Sequence, residues 1–154
     1  MNAPIINDIN PPQFLKAQKK YLFDSIPIYL FPQKGTSVMG IDFIFDVGED
    51  ILNSYSNLLI SSANSFLKSG NSKLDEFKIS ECIDFSGGYF SNNFDRRHFE
   101  SSLYVLSSSI NNILPIVVDC IFQPTYPSEI IHNKLKNQKE LFSINQMRVL
   151  EKAR

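Results

Sequence analysis

The stretch that decides the fold is Met39 to Gly70, which reads MGIDFIFDVGEDILNSYSNLLISSANSFLKSG. Apolar residues alternate with small or acidic ones from Met39 to Val47, and this period of two predicts a strand. Asn53 or Ser54 can then cap a helix that ends at Gly70. A 3.6-residue period predicts its inward face, which consists of Tyr55, Leu58, Leu59, Ala63, Phe66 and Leu67. A strand therefore runs directly into an amphipathic helix.

The next segments repeat this pattern. Asp75 can cap a second helix that ends at Gly87-Gly88, and its inward residues are predicted to be Phe77, Ile79, Cys82 and Ile83. Two strand-like runs follow, Tyr89 to Phe94 and Phe99 to Leu106. We expect them to form an antiparallel hairpin with its turn around Asp95-Arg96-Arg97.

Two further helices are predicted after this hairpin. The first has apolar residues at helical spacing from Ile110 to Ile121, and we expect it to start near Asn111 or Asn112, so that Pro115 lies in the first turn. Ser128 is expected to cap the second, with Ile131, Leu135, Phe142 and Val149 inward. No stop signal precedes Arg154, and we therefore expect the chain to be truncated within a longer domain.

The segment before Met39 is expected to be an extended arm over residues 1–20, followed by short strands at Tyr21 to Phe23 and Ile26 to Phe31. The element order is thus ββααββαα. This order is typical of an α+β domain with helices packed on one face of a mostly antiparallel sheet, and we assign residues 21–154 to it.

Composition excludes several classes of function. The formal net charge of −1, with no segment that concentrates one sign, argues against a nucleic-acid partner. No apolar run is long enough to cross a membrane and no signal peptide is visible, so we expect a soluble chain whose compartment the sequence leaves unknown. Cys82 and Cys120 lie on apolar helical faces and are expected to pack in the core.

From Ile26 to about Arg154 the chain resembles the N-terminal half of a pitrilysin-type domain, the inverzincin zinc peptidases that include mitochondrial processing peptidase and insulin-degrading enzyme. Five short sequence segments agree with that family in order and spacing. They are Phe45-Asp46-Val47-Gly48, Phe66-Leu67-Lys68-Ser69-Gly70, Gly87-Gly88, Val105-Leu106-Ser107, and Asp119 before Pro124-Thr125-Tyr126-Pro127. The resemblance covers most of the chain.

This family carries the zinc-binding motif HxxEH in the interval that corresponds to Gly48–Gly70. The resemblance places Ser61 at the first zinc histidine, Asn64 at the general-base glutamate and Ser65 at the second histidine. Zinc needs imidazole, thiolate or carboxylate ligands, and an asparagine cannot accept a proton as a carboxylate does. We therefore expect no catalytic residue and no metal site in this chain, with these three side chains facing a groove or solvent.

The remaining candidate ligands do not rebuild the site. The family's third ligand, a glutamate, maps near Leu141 with Glu140 one position away, and Lys134 stands where another acidic residue is usual. His98 and His132 have no second histidine or clustered carboxylate at helical spacing, so we interpret them as surface or hydrogen-bonding residues. Zinc is expected only in a partner.

The resemblance implies a role in assembly. Pitrilysin-type enzymes pair homologous halves around a chamber, and a half that has lost HxxEH lines the chamber beside an active one. We therefore expect a non-catalytic chamber or regulatory subunit whose partner is an active HxxEH homologue or the second half of the same polypeptide. An Arg-Tyr pair that contacts peptide in such halves would lie beyond Arg154.

The peptide ligand is expected to be extended and to pair with an exposed edge strand. The corresponding residues here are Tyr89, Phe90, Ser91 and Asn92, which could equally belong to an ordinary buried strand. Two alternative functions stay open. The chain is part of a longer active zinc metalloendopeptidase with its site in another domain or chain, or it is an unrelated α+β binding or structural domain.

Overall fold

The structure is a computed structural model that describes residues 15–95 and 97–152, with side chains described up to residue 146. Two compact units divide between Thr36 and Ser37. Residues 1–14 of the predicted arm and Arg96 of the predicted turn lie outside the described residues.

The first unit contains an antiparallel hairpin of β1 (Gln18–Leu22) and β2 (Ile26–Leu30), in which Leu22 pairs with Ile26. Phe23 and Asp24 both have positive φ, and Ser25 N donates to Leu22 O at 3.2 Å. The two short strands predicted from the sequence are therefore present, and a tight turn joins them. Gln18 to Lys20, which fall within the predicted arm, belong to β1.

The second unit is built on a three-stranded antiparallel sheet. Its strands are β3 (Val38–Asp46), β4 (Tyr89–Asp95) and β5 (His98–Leu106), in the order β3-β5-β4. The period-two strand and the hairpin predicted from the sequence are therefore confirmed. β3 pairs with β5 rather than β4, from Val38 opposite Leu106 to Asp46 opposite His98.

In the part of the chain that the structure describes, five α-helices connect or follow these strands: α1 (Glu49–Ser54), α2 (Asn57–Ser65), α3 (Glu76–Phe85), α4 (Ile110–Phe122) and α5 (Ser128–Lys152). A 3-10 turn, Leu67–Ser69, extends α2 toward Gly70. The single helix predicted before Gly70 is wrong, because Tyr55 is extended and Ser56 caps α2 by accepting a hydrogen bond from Leu59 N at 3.3 Å. Asn53 and Ser54 lie inside α1 instead of capping it.

The core lies between one face of the sheet and the helices α3 and α4. It consists of Ile79, Ile83, Phe90, Leu103, Val105, Ile113, Val117 and Cys120. The predicted α+β class with helices on one face of an antiparallel sheet is confirmed. α4 begins at Ile110, however, so Pro115 lies in its second turn rather than its first.

Three predicted inward faces are wrong in part. Leu58 in α2 is 73% exposed, Phe77 in α3 is 72% exposed and Phe142 in α5 is 63% exposed. Tyr55, Leu59 and Leu135 are exposed as well, and the side chain of Val149 lies outside the described residues. In α2 the buried residues are Ile60, Ser62 and Asn64. Hydropathy alone could not select this face, because two of its three members are polar.

Candidate functional site

The residues that the family resemblance assigns to the HxxEH positions all lie on α2, but they have different surroundings. Ser61 and Ser65 are exposed, as predicted, whereas Asn64 is only 4% exposed. Its Nδ2 donates to the backbone oxygen of Asn93 in β4 at 2.6 Å. The prediction that all three side chains face a groove or solvent is therefore wrong for Asn64.

The hydrogen bond to the Asn93 carbonyl requires a donor on the side chain at position 64. An amide nitrogen can donate to a carbonyl oxygen, but an ionised carboxylate can only accept. A glutamate or aspartate at position 64 would therefore place an oxygen against the Asn93 carbonyl unless the carboxyl group were protonated or the side chain moved. The surroundings of Asn64 fit an amide and oppose a general base.

Lys68 makes a second link of the same kind. It lies one turn beyond Asn64, and its Nζ donates to the backbone oxygen of Phe90 at 3.1 Å. Two donors from one flank of the α2 region thus reach two carbonyls of β4. These bonds hold the helix against the strand that was predicted to bind peptide.

β4 has one strand neighbour, β5, in the part of the chain that the structure describes, and so it forms an edge of the sheet. Its four candidate peptide-binding residues divide between two faces. Phe90 is 2% exposed in the core, and Asn92 accepts a hydrogen bond from Ser101 Oγ at 2.7 Å on the same face. Tyr89 and Ser91 lie on the opposite face, where Tyr89 is exposed.

Lys134 on α5 makes the most connected ion pair near α2. Its Nζ lies 2.6 Å from Glu76 Oε1 and 2.8 Å from Ser69 Oγ, and 5.6 Å from the centre of the Phe66 ring. A cation therefore stands at a position where the resembling family usually has an acidic residue. Glu140 and Leu141, nearest to the family's third ligand position, are exposed on α5. The sequence singles out Lys134 by its position but contains no signal for its partners.

The loops that flank this site contact each other. Thr125 N donates to Gly70 O at 2.9 Å, and Tyr126 Oη donates to Ala63 O at 3.3 Å. A Cβ added at Gly70 would lie 2.5 Å from Thr125 Oγ1, so a side chain does not fit there. Burial raises the pKa of the Tyr126 phenol. Two of the five segments on which the family resemblance rests, those that contain Gly70 and Thr125, are thus neighbours in space.

The other titratable candidates lie apart. His98 begins β5 and His132 lies on α5, and both are exposed. Among the described residues, no group of three or more His, Cys, Asp or Glu side chains could hold a metal ion. Cys120 is buried, its Sγ lies 3.7 Å from Asn71 Nδ2, and burial raises the pKa of its thiol.

No helix in the described ranges has the length and apolar character that a membrane crossing requires.

Comparison with known proteins identifies the fold. No family model and no curated protein matches the chain. The crystal structure of a peptidase M16 inactive domain from Pseudomonas fluorescens superposes with a TM-score of 0.71 at 19% identity, over 80% of this chain and 30% of that one. A protease from Helicobacter pylori superposes with a TM-score of 0.64 at 10% identity, over 76% of this chain and 28% of that one.

The chain spans less than a third of either solved chain. Its fold is that of the pitrilysin-type (M16) peptidases, and the resemblance drawn from the sequence is confirmed at the level of the fold.

Proposed function

We propose that this chain is a non-catalytic pitrilysin-type domain that works with an active, HxxEH-bearing half, supplied by a homologue or by the same polypeptide. In this role it lines the chamber and contacts the peptide, while zinc is held by the active half. The structural likeness to an inactive M16 domain supports a non-catalytic role.

The single observation that carries the proposal is the setting of Asn64. Asn64, which the family resemblance assigns to the general-base position, is buried and donates a short hydrogen bond to the Asn93 carbonyl. A buried group of this kind contributes to folding, whereas a general base must accept a proton from metal-bound water. The flanking Ser61 and Ser65 offer neither imidazole nor carboxylate to a zinc ion.

The charge beside α2 supports the same conclusion. Lys134 places an ammonium group between Ser69, on the turn that follows α2, and Glu76, at the start of α3. A fixed cation in this region disfavours a divalent metal ion by like-charge repulsion. Because the carboxylate of Glu76 is held by Lys134, its charge is already balanced.

The test measures zinc and hydrolysis separately. The chain is dialysed against zinc, its metal content is determined by mass spectrometry, and hydrolysis of a quenched fluorescent peptide is measured alone and with an HxxEH-bearing homologue. We expect no stoichiometric zinc and no hydrolysis by the chain alone, and a stable complex in which hydrolysis requires the homologue. A partner with Glu→Gln in its HxxEH is the matched control, since it should abolish hydrolysis by the complex. One zinc per chain together with hydrolysis by the chain alone would overturn the proposal.

A further inference from the structure

The three-stranded sheet has a second face, opposite the core, that carries an uneven charge. It consists of the even-numbered residues of β3 and β5 and the odd-numbered residues of β4, and we call it the open face. Asp42, Asp46, Asp95 and Glu100 lie on it, with His98 between Asp46 and Asp95. None of its positions is a lysine or an arginine.

Three of the carboxylates surround the fourth, Glu100. Glu100 pairs with Ile44 on one side and Asn93 on the other, so Asp42, Asp46 and Asp95 are its diagonal neighbours. Diagonal neighbours in an antiparallel sheet are about 7–8 Å apart. Within residues 15–95 and 97–152, the ion pairs involve other carboxylates, and none of these four is paired with a lysine or arginine. Among the described side chains, the open face therefore gathers four carboxylates with which no lysine or arginine forms an ion pair.

The other end of the open face is apolar. Tyr104 pairs with Gly40 on one side and Tyr89 on the other, and Leu106 follows on the same strand. A Cβ at Gly40 would lie 3.0 Å from the Tyr104 ring, which shows that the ring lies over the glycine backbone. Tyr89 is 63% exposed and Tyr104 is 47% exposed. This end forms an accessible aromatic platform.

We infer that the open face binds an extended peptide segment in which apolar or aromatic residues are followed by lysine or arginine. Tyr104 and Glu100 are four residues apart on β5, a separation of about 13 Å, so the apolar and basic parts should also lie about four residues apart. Contact with the platform buries apolar surface, and the basic side chains neutralise the carboxylates around Glu100. The inference rests on the proposed function, because it names the peptide class that the non-catalytic half would contact.

The negative charge of the open face also argues against other classes of ligand on it. A nucleic acid or an acidic peptide would be repelled by the four carboxylates. A second copy in a face-to-face contact would present the same open face, which has no lysine or arginine to neutralise the carboxylates. A cationic peptide is the occupant that relieves the repulsion.

The experiment compares two labelled decapeptides by fluorescence anisotropy with the full chain. One has phenylalanine and leucine near one end and three arginines near the other, and its control has glutamates in place of the arginines. We expect the arginine peptide to bind at least about tenfold more tightly, and to weaken as salt is raised. The double variant D42N/E100Q should lose about tenfold in affinity for it.

The matched control is E81Q/D84N, which removes two exposed carboxylates from α3 and should leave affinity unchanged. Equal binding of the two peptides, no binding of either, or an equal loss in both double variants would overturn the inference. Should D42N/E100Q melt below the wild type, the peptide preference of the wild-type chain alone decides. These results would leave the proposed function standing, because zinc content and hydrolysis test that separately.

Discussion

Replacement of Asn64 by aspartate tests the account of the lost catalytic position most directly. Aspartate nearly conserves the shape of asparagine, but at neutral pH it replaces the amide donor that bonds to the Asn93 carbonyl with a second oxygen. Asn64 is 4% exposed, so water has little access to a charge placed on its side chain. The variant therefore isolates the requirement for a donor.

The expected cost follows from two terms. The lost hydrogen bond costs about 0.5–1.5 kcal/mol, and a buried charge without a partner adds the larger part of the cost. We expect the free energy of unfolding to fall by about 3 kcal/mol at pH 7.5, which lowers Tm by roughly 6–12 °C for a domain of this size. Burial raises the pKa of the introduced carboxyl group in the folded protein above its value in the unfolded chain. The folded state of the variant is therefore favoured at low pH and is destabilised as pH rises through the folded pKa.

Thermal unfolding followed by circular dichroism at pH 4.5 and pH 7.5 provides the measurement. Part of the lost Tm should return at pH 4.5, where a protonated carboxyl group can again donate to Asn93. Ser61→Asp on the same helix is the matched control, since Ser61 is exposed and the change should stay within about 0.5 kcal/mol. If N64D and S61D unfold alike at pH 7.5, or if acid restores nothing to N64D, the role assigned to the Asn64 hydrogen bond is incorrect.

Three further outcomes are expected from urea denaturation. Gly70→Ala should lower the free energy of unfolding by about 1–3 kcal/mol, because the added Cβ would meet Thr125 Oγ1. Adding Thr125→Ala should restore part of that loss in the double variant. Additive effects of the two substitutions would contradict the contact. Lys134→Met should cost about 1 kcal/mol through its lost partners and Lys136→Met almost nothing, so equal effects would remove the special role of Lys134. Burial raises the pKa of the Cys120 thiol, so the stability that the neutral thiol contributes is complete below the unfolded thiol pKa of about 8.5 and declines as pH rises through the folded pKa. Cys120→Ala should reduce the loss of unfolding free energy at alkaline pH. An unchanged dependence of that free energy on pH would contradict this expectation.

Much of the framework followed from local signals. The alternation from Met39 to Val47, the Asp75 cap and the helical spacing around Ile113 and Val117 each identified an element correctly, because one face of each is buried in the same core. These signals depend on the side chains of a single element. They are therefore readable without knowledge of its neighbours.

What the sequence could not give depended on contacts between elements. The buried face of α2 includes Asn64, whose burial is understandable only once the Asn93 carbonyl is placed beside it. The partners of Lys134, Ser69 and Glu76, lie 65 and 58 residues before it in the sequence. The open face needed the strand register, because the alternation in β3 predicts two faces but cannot say which acidic residues of other strands share one of them.

The pairing of β3 with β5 has a consequence for the order of folding. β4 and β5 are joined by a short turn, so their hairpin can close at little entropic cost. β3 must wait for α1, α2, α3 and that hairpin before it meets its partner, and such long-range closure is slow. We expect a transition state in which β5 is already structured against β4 and α4, with β3 arriving afterwards. A slowly folding chain would thus leave one side of β5 open to strand exchange until β3 arrives.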